Sequence, residues 1–430
     1  MSRRRLVVEE IARVEGEGAL DLEIDGGQVT AARLKIFEPP RLFEALLRGR
    51  DHREAPDIAA RICGICPVAY QLGAAQAMER ALGVHVEPSV RALRRLLYCG
   101  EWIESHALHV VLLHAPDFLG YPDGMQMARD HPAEVEAGLA LKRFGNDVLR
   151  TLGGREIHPV NVRVGGFHRW PRVEELDPLA ARAAGARAQA VRLLHWASRF
   201  EFPAFERDYE FVAMRDSADY PLNEGRIVSS TGIDVGIDAF DRHFAEHQVP
   251  HSTALHAAIR GRGAYLVGPL ARYALNFDRL PAEVQSLAHD AGLGAVCRNP
   301  FRSVLVRLVE VIYACGEIER LIAGLRSTPA PRPPAIELRA GTGQGCTEAP
   351  RGLCHHRYEI DGTGAITSAR IVPPTSQNQA SIEADLRDLA SRHLDASDEA
   401  LRALCERAIR NHDPCISCSA HFLSLRRHGR

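Results

Sequence analysis

Two Cys-x-x-Cys pairs stand near opposite ends of this chain, Cys63 and Cys66 in RICGICPVAY and Cys415 and Cys418 in DPCISCSAH. Either pair alone reads as a redox dithiol, half of a structural zinc site or coincidence. Zinc ribbons usually set their pairs within roughly 15–20 residues of each other, whereas here most of the protein lies between residues 66 and 415. Together the pairs can offer four soft thiolates to one centre. A fold that does so seals its C-terminal tail beside its first quarter. The first pair also sits just before a helix start at Pro67, where free N–H groups and the helix dipole favour thiolate.

Composition narrows the partners. Lys and Arg total 53 against 55 Asp and Glu, a net charge of −2, so no positive field is available for nucleic acid or anionic lipid. The opening MSRRRLVVEE resembles a twin-arginine leader, but Glu9 and Glu10 end the apolar run after three residues. The most apolar later stretch, HALHVVLLHAPDFLG, is studded with histidines and stopped at Pro116, too short for a membrane span. A cytoplasmic protein is expected. Ten cysteines in 430 residues are far below a disulfide scaffold, so in a reducing compartment they read as ligands or packing groups.

The patterns predict a mainly α fold with small β elements. Residues 17–37 alternate around a DGGQ turn, a hairpin signal. Helices are predicted in PRLFEALLRG, from Pro67 to Gly83, from Pro88 to about Ala115, from an Asn299 cap through about 326, and from about Ser397 to Asn411. Mixed strands and loops are expected over 201–275, and the proline-rich 327–335 reads as a stiff connector. HHRYEIDGTGAITSARIVPP gives two strands around Asp361-Gly362.

Around the cysteine pairs lie RVEGEG with Glu15, RLFEALLRGRDHREAPDIAARICGIC with Glu44, EAPRG with Pro350 and Arg351, VPPTSQN with Thr375, and Asp413 beside the last pair. These segments resemble the signatures of the nickel–iron hydrogenase large subunit, from residue 13 to the end. They look most like its soluble, pyridine-nucleotide-linked and sulfhydrogenase branch. Glu17, Tyr70 and Ser105 depart from the histidine, histidine and acid that many relatives carry there. The resemblance implies a long-helix core and one large-subunit domain over 1–421. It also implies that 422–430 is an extension removed after nickel insertion by a maturation endopeptidase.

By the same resemblance Cys63, Cys66, Cys415 and Cys418 hold nickel, with Cys66 and Cys418 bridging to an iron that carries cyanide and carbonyl. Glu15 takes the proton from Cys415, although alone it reads as a solvated strand residue. Arg351, otherwise a structural ion-pair partner, overlies the metals, oriented by Asp413. Thr375, Pro350 and Arg351 flank the iron's diatomic ligands. Glu44, which alone reads as outward-facing or capping, and His421 hold a hard ion, magnesium or iron(II). His106, His109 and His114 read as interior histidines.

The other six cysteines show no iron–sulfur cluster spacing, and no G-x-G-x-x-G follows a strand. Electrons from a buried redox metal therefore need a partner chain. The resemblance names an iron–sulfur small subunit, flavin and iron–sulfur subunits that reduce NAD(P)+, and nickel-insertion factors. The implied activity is reversible heterolytic cleavage of H2, with sulfur reduction as a side activity. The competing reading is a zinc-stapled, non-catalytic assembly subunit; such relatives typically lack one or more of the four cysteines, and this chain keeps them all.

Overall fold

The computed structural model describes residues 3–420. It is mainly helical with small antiparallel sheets, as the sequence predicts. Three strands come first, β1 (Arg4–Val8), β2 (Gly18–Asp25) and β3 (Gln28–Ile36), with β2 central and the predicted DGGQ turn joining β2 to β3. The short helix α1 (Phe43–Leu47) follows, then α2 (Pro67–Leu82). Pro67 fits the first position of α2 because its missing N–H would have no partner there. Gly83, with φ of 68°, ends the helix in the left-handed conformation that glycine adopts without steric cost.

Four long helices form the core: α3 (Pro88–Ala107), α4 (Pro132–Gly153), α5 (Val173–Ala197) and, beyond a short α6 (Pro269–Asn276), α7 (Ser303–Leu325). Each of the four packs on two others, α3 against α4 and α7, α5 against α4 and α7. Small residues bring α3 and α4 together: a Cβ at Gly145 would lie 2.5 Å from the Gly100 carbonyl oxygen.

The helix predicted from Pro88 to about Ala115 changes winding on the way. Residues Leu108–His114 form a π-helix, and an α-helical turn resumes at Ala115. Pro116 explains the change, since it has no N–H to donate and its ring crowds the carbonyl four residues back.

A hairpin of β4 (Phe244–His247) and β5 (His256–Ile259) lies in the mixed middle region. Then comes a sheet in the order β6 (Gly341–Ala349), β7 (Gly352–Ile360), β8 (Ile366–Val372). β7 and β8 are the two predicted strands. β6 is an addition, hidden in the glycine-rich GTGQGCTEA. It runs directly against α2: a Cβ at Gly343 would fall 1.8 Å from the Ala77 carbonyl oxygen, and one at Gly345 2.1 Å from that of Gly73. α8 (Pro374–Ser391) was also not foreseen. The predicted last helix is α9 (Asp398–Asn411), capped by Ser397, which accepts from the Ala400 N–H, and the short α10 (Ile416–Ser419) ends the described chain.

Candidate metal centre

The two chain ends meet at residues 15 and 415. Glu15 and Cys415 form an isolated parallel β-bridge, and the Ile416 N–H donates to the Glu15 carbonyl at 3.0 Å. The glycines of EGEG make room for this. A Cβ at Gly16, whose φ is 87°, would lie 2.6 Å from Ile416 Cβ, and one at Gly18 2.8 Å from Ile416 Cδ1. Cys63 and Cys66 come from the loop just before α2, with Cys66 at its cap.

The four sulfurs form one buried group, all within 4.8 Å of one another. Cys63 and Cys415 Sγ are 3.6 Å apart, Cys66 and Cys418 Sγ 3.7 Å, and Cys66 and Cys63 Sγ 3.0 Å. Those spacings suit four thiolates around one ion with metal–sulfur bonds of about 2.3 Å. Cys415 and Cys418 Sγ are in direct contact, their Cα atoms 5.4 Å apart. Burial pushes the Cys63 thiol up, but donation from Cys66 and the Arg351 charge outweigh it, and Cys63 lies below the usual thiol range. Cys66 is pushed well above it by burial and by Cys63. Four buried cysteines beside a fixed cation fit a soft metal centre.

Glu15 is half-buried and touches the quartet directly. Its Oε2 accepts from Cys415 Sγ at 3.1 Å and from the Ser417 N–H at 3.1 Å. Ser417 Oγ in turn donates to Glu38 Oε2 at 3.1 Å.

Arg351 sits in the turn between β6 and β7 and is 2% exposed. Its Nε donates to the Asp413 carbonyl at 2.7 Å and its Nη2 to Asp413 Oδ1 at 3.1 Å. Asp413 thus holds Arg351 through one backbone and one carboxylate bond. The reason is that Asp413, at φ of 50°, turns its own carbonyl toward the guanidinium. Burial alone would lower the Arg351 pKa, but Asp413, Cys66, Cys63 and Glu15 outweigh it and keep the group charged. Arg351 Nη1 and Asp413 Oδ2 have no hydrogen-bond partner among the described residues. A bound group with acceptor atoms would satisfy Arg351 Nη1, while Asp413 Oδ2 calls for a donor.

Thr375, in the first turn of α8, accepts from the Cys415 N–H at 3.0 Å, which leaves its hydroxyl proton to donate elsewhere. The Pro350 carbonyl is occupied by Arg272 Nη2 at 2.9 Å. Glu44, on α1, accepts from the Ile371 N–H at 2.7 Å. His421 lies outside the described residues, as does 422–430.

The three interior histidines pack as read. His106 Nε2 lies 2.9 Å from Glu310, His109 Nε2 2.8 Å from the Arg410 carbonyl, and His114 Nε2 2.8 Å from Asn411. Among the departures, the Glu17 N–H faces Glu38 Oε2 at 3.4 Å, the Tyr70 ring meets His356 edge-on at 5.8 Å, and Ser105 is buried on α3.

Three supporting residues were missed. Arg41 donates to the Ile62 carbonyl at 2.5 Å and to that of Ser417, while its own N–H donates to the Ala420 carbonyl at 2.7 Å, so it ties both cysteine segments together. Arg272, buried on α6, holds the Arg351 turn through the Ala349 and Pro350 carbonyls and pairs with Glu310 and Glu348. Glu101, buried on α3, accepts from the Val68 and Ala69 N–H groups at 2.6 and 3.2 Å, capping α2 beside Cys66. For Glu101 one signal existed, an acid four residues after Leu97 on the apolar stripe of α3.

Comparison with known proteins agrees with this geometry. A family model described as nickel-dependent hydrogenase matches residues 41–143. Sulfhydrogenase 2 subunit alpha of Pyrococcus furiosus is 34% identical over 422 residues, covering 97% of this chain and 99% of that protein. The NAD-reducing hydrogenase HoxS subunit beta of Cupriavidus necator is 27% identical over 468 residues, covering 98% and 95%. A crystal structure of an NAD+-reducing [NiFe]-hydrogenase in the H2-reduced state superposes with a TM-score of 0.88 at 29% identity, over 97% of this chain and 99% of that one. With four buried thiols gathered from both ends of a chain that matches such relatives over nearly its whole length, this chain belongs to the nickel-dependent hydrogenase large-subunit family.

Proposed function

We propose that the chain is the catalytic subunit of an enzyme that reversibly splits H2 into two protons and two electrons. The observation that carries this is the joint placement of four buried thiols, the Glu15 carboxylate on Cys415 Sγ and the charged Arg351 guanidinium. Cys63, Cys66, Cys415 and Cys418 would hold a nickel–iron group, which supplies the polarisation of H2 when bound. Arg351 contributes a fixed positive charge in a water-poor site, where such charge acts most strongly. Asp413 holds that charge in place. Glu15 Oε2 takes a proton from Cys415 Sγ, and its half-buried position lets it hand that proton on toward the surface.

Thr375, with its free hydroxyl proton, and Arg351 would donate to the iron's cyanide ligands, and Pro350 would flank them. Glu44, with His421, would hold magnesium or iron(II). The electrons would pass to an iron–sulfur partner chain, in keeping with relatives that are named as subunits of larger hydrogenases. The names of the relatives favour NAD(P)+ as the final acceptor, reached through flavin and iron–sulfur subunits, with sulfur as a second acceptor. No described helix is long and apolar enough to cross a membrane, and we place the enzyme in the cytoplasm.

The test is metal analysis and infrared spectroscopy of the purified complex, with H2-dependent dye reduction. One nickel and one iron per chain with cyanide and carbonyl bands, both lost in Cys415→Ser, are expected. Zinc in the quartet of the native complex, or a Cys415→Ser variant with full nickel and normal turnover, would overturn the proposal.

A further inference from the structure

Away from the quartet, His251, His256 and Glu383 bring one ligand atom each within 4.8 Å of the others. The three come from separate parts of the fold. His256 opens β5, His251 lies in the loop between β4 and β5, and Glu383 is on α8, two turns beyond Thr375. Eight residues of helix separate Glu383 from Thr375, about 12 Å along the axis, so this group is distinct from the quartet.

His251 Nε2 is 2.7 Å from Glu383 Oε1, and the same oxygen accepts from the Leu34 N–H of β3 at 3.0 Å. His256 is 3% exposed, yet its Nε2 has no hydrogen-bond partner among the described residues. A buried imidazole nitrogen without a partner is uncommon, and it calls for an unseen group. The His251 and His256 rings stand edge to face, centroids 5.7 Å apart at 85°. The His256 side chain also interacts with Gln379.

We propose that His251, His256 and Glu383 bind one divalent transition-metal ion of the zinc type, with water completing the coordination. Two imidazoles and one carboxylate suit borderline ions, and they disfavour magnesium and calcium, which take oxygen ligands. Entry and the water position are available because the His251 and Glu383 side chains are 20% and 17% exposed. The Leu34 N–H fixes the carboxylate from behind, as supporting hydrogen bonds do at metal sites. An ion here ties the β4–β5 loop and the start of β5 to the helix whose first turn holds Thr375 against Cys415. The site stands independently of the nickel proposal, since it shares no ligand with the quartet.

The experiment uses the purified, nickel-loaded complex, so that the four thiols are occupied. Zinc is titrated against a competing chelator, and crystals soaked in zinc are measured at the zinc absorption edge. One zinc per chain beyond nickel and iron, with an anomalous peak between the three side chains, is expected. His251→Ala and Glu383→Gln, both at partly exposed positions, should each weaken binding at least about tenfold. No zinc in this site, or unchanged affinity in both variants, would overturn the assignment. The anomalous measurement on the unsubstituted protein decides the matter even if a variant fails to fold.

Discussion

Glu15 grips two atoms of the terminal segment at once, the Cys415 thiol and the Ser417 N–H, so its charge and its hydrogen bonding can be separated by substitution. Glu15→Gln keeps a carbonyl acceptor for Ser417 but removes the titrating oxygen. Metal content should stay at the level of the unsubstituted protein while hydrogen–deuterium exchange with H2 collapses. Unchanged exchange would take Glu15 out of the proton path. Arg351 offers a second contrast, because lysine retains the charge but not the planar fork that engages Asp413 at two points. Arg351→Lys should assemble with full nickel and turn over H2 about 10²-fold more slowly; a loss within about twofold leaves Arg351 a structural role only. Both residues were legible because they stand in short segments of distinctive wording. Arg272 and Arg41 were not, since an arginine says nothing in sequence about whose carbonyls it will meet. Only the folded turn at Pro350 and the crossing of the two cysteine segments give those side chains their work.

Among the elements, the helices announced themselves through Pro67, Pro88, Asn299 and Ser397 at their starts and Gly83 at a stop, while β6 stayed hidden. A strand is recognised by bulky alternating residues, and β6 is glycine-rich for the opposite reason, the closeness of α2 behind it. Gly345→Ala places a methyl 2.1 Å from the Gly73 carbonyl, and neither backbone can retreat within a packed core. Such overpacking costs about 1–3 kcal/mol or more, to be read as a lowered denaturation midpoint; an unchanged midpoint would show that α2 and β6 separate easily. α3 and its π-helical continuation carry a pH dependence of their own. Burial outweighs the Glu310 contact and holds His106 at about 4, below the ordinary 6.5, so the unfolded chain takes up its proton first on acidification. That stabilisation is complete above pH 6.5 and is lost between about 6.5 and 4, a change of roughly 3 kcal/mol. Glu310, held at about 2 because Arg272 and His106 outweigh burial, begins to lose its own contribution only below its ordinary 4.5. Glu104 and Glu348, each raised to about 7 by burial, act with the opposite sign in this window, so the His106 effect is read as a difference. Relative to the unsubstituted protein, His106→Gln should lose less stability from pH 6.5 to 4 by about one proton's worth. An identical slope in the variant would assign the acid sensitivity elsewhere.

At the scale of the whole molecule, the cysteine spacing carried topological information that no local pattern held: one centre for both pairs requires the ends of the chain to meet. The structure meets that demand with little regular structure, one isolated bridge at Glu15 and Cys415 and the short α10, joined by side-chain bonds from Glu15, Thr375 and Arg351. A junction so small needs a fastener, and Arg41 supplies it by bonding the carbonyls of Ile62 and Ser417 with one guanidinium nitrogen and that of Ala420 with its backbone N–H. Hydrogen bonds from a charged donor contribute on the order of 1.5–3 kcal/mol each. Losing even the lower figure raises the population with a detached terminal segment about tenfold. Arg41→Ala should therefore speed hydrogen–deuterium exchange of a peptide spanning 412–420 about tenfold in the metal-free chain. Exchange in α3 and α7, which do not depend on the junction, should stay as it is. Nickel should also leave the variant faster, because Arg41 bonds the segments of both cysteine pairs. If the 412–420 peptide exchanges at the original rate, the junction is held by the burial of Ile416 against the glycines of EGEG, and the ends close through packing rather than through Arg41.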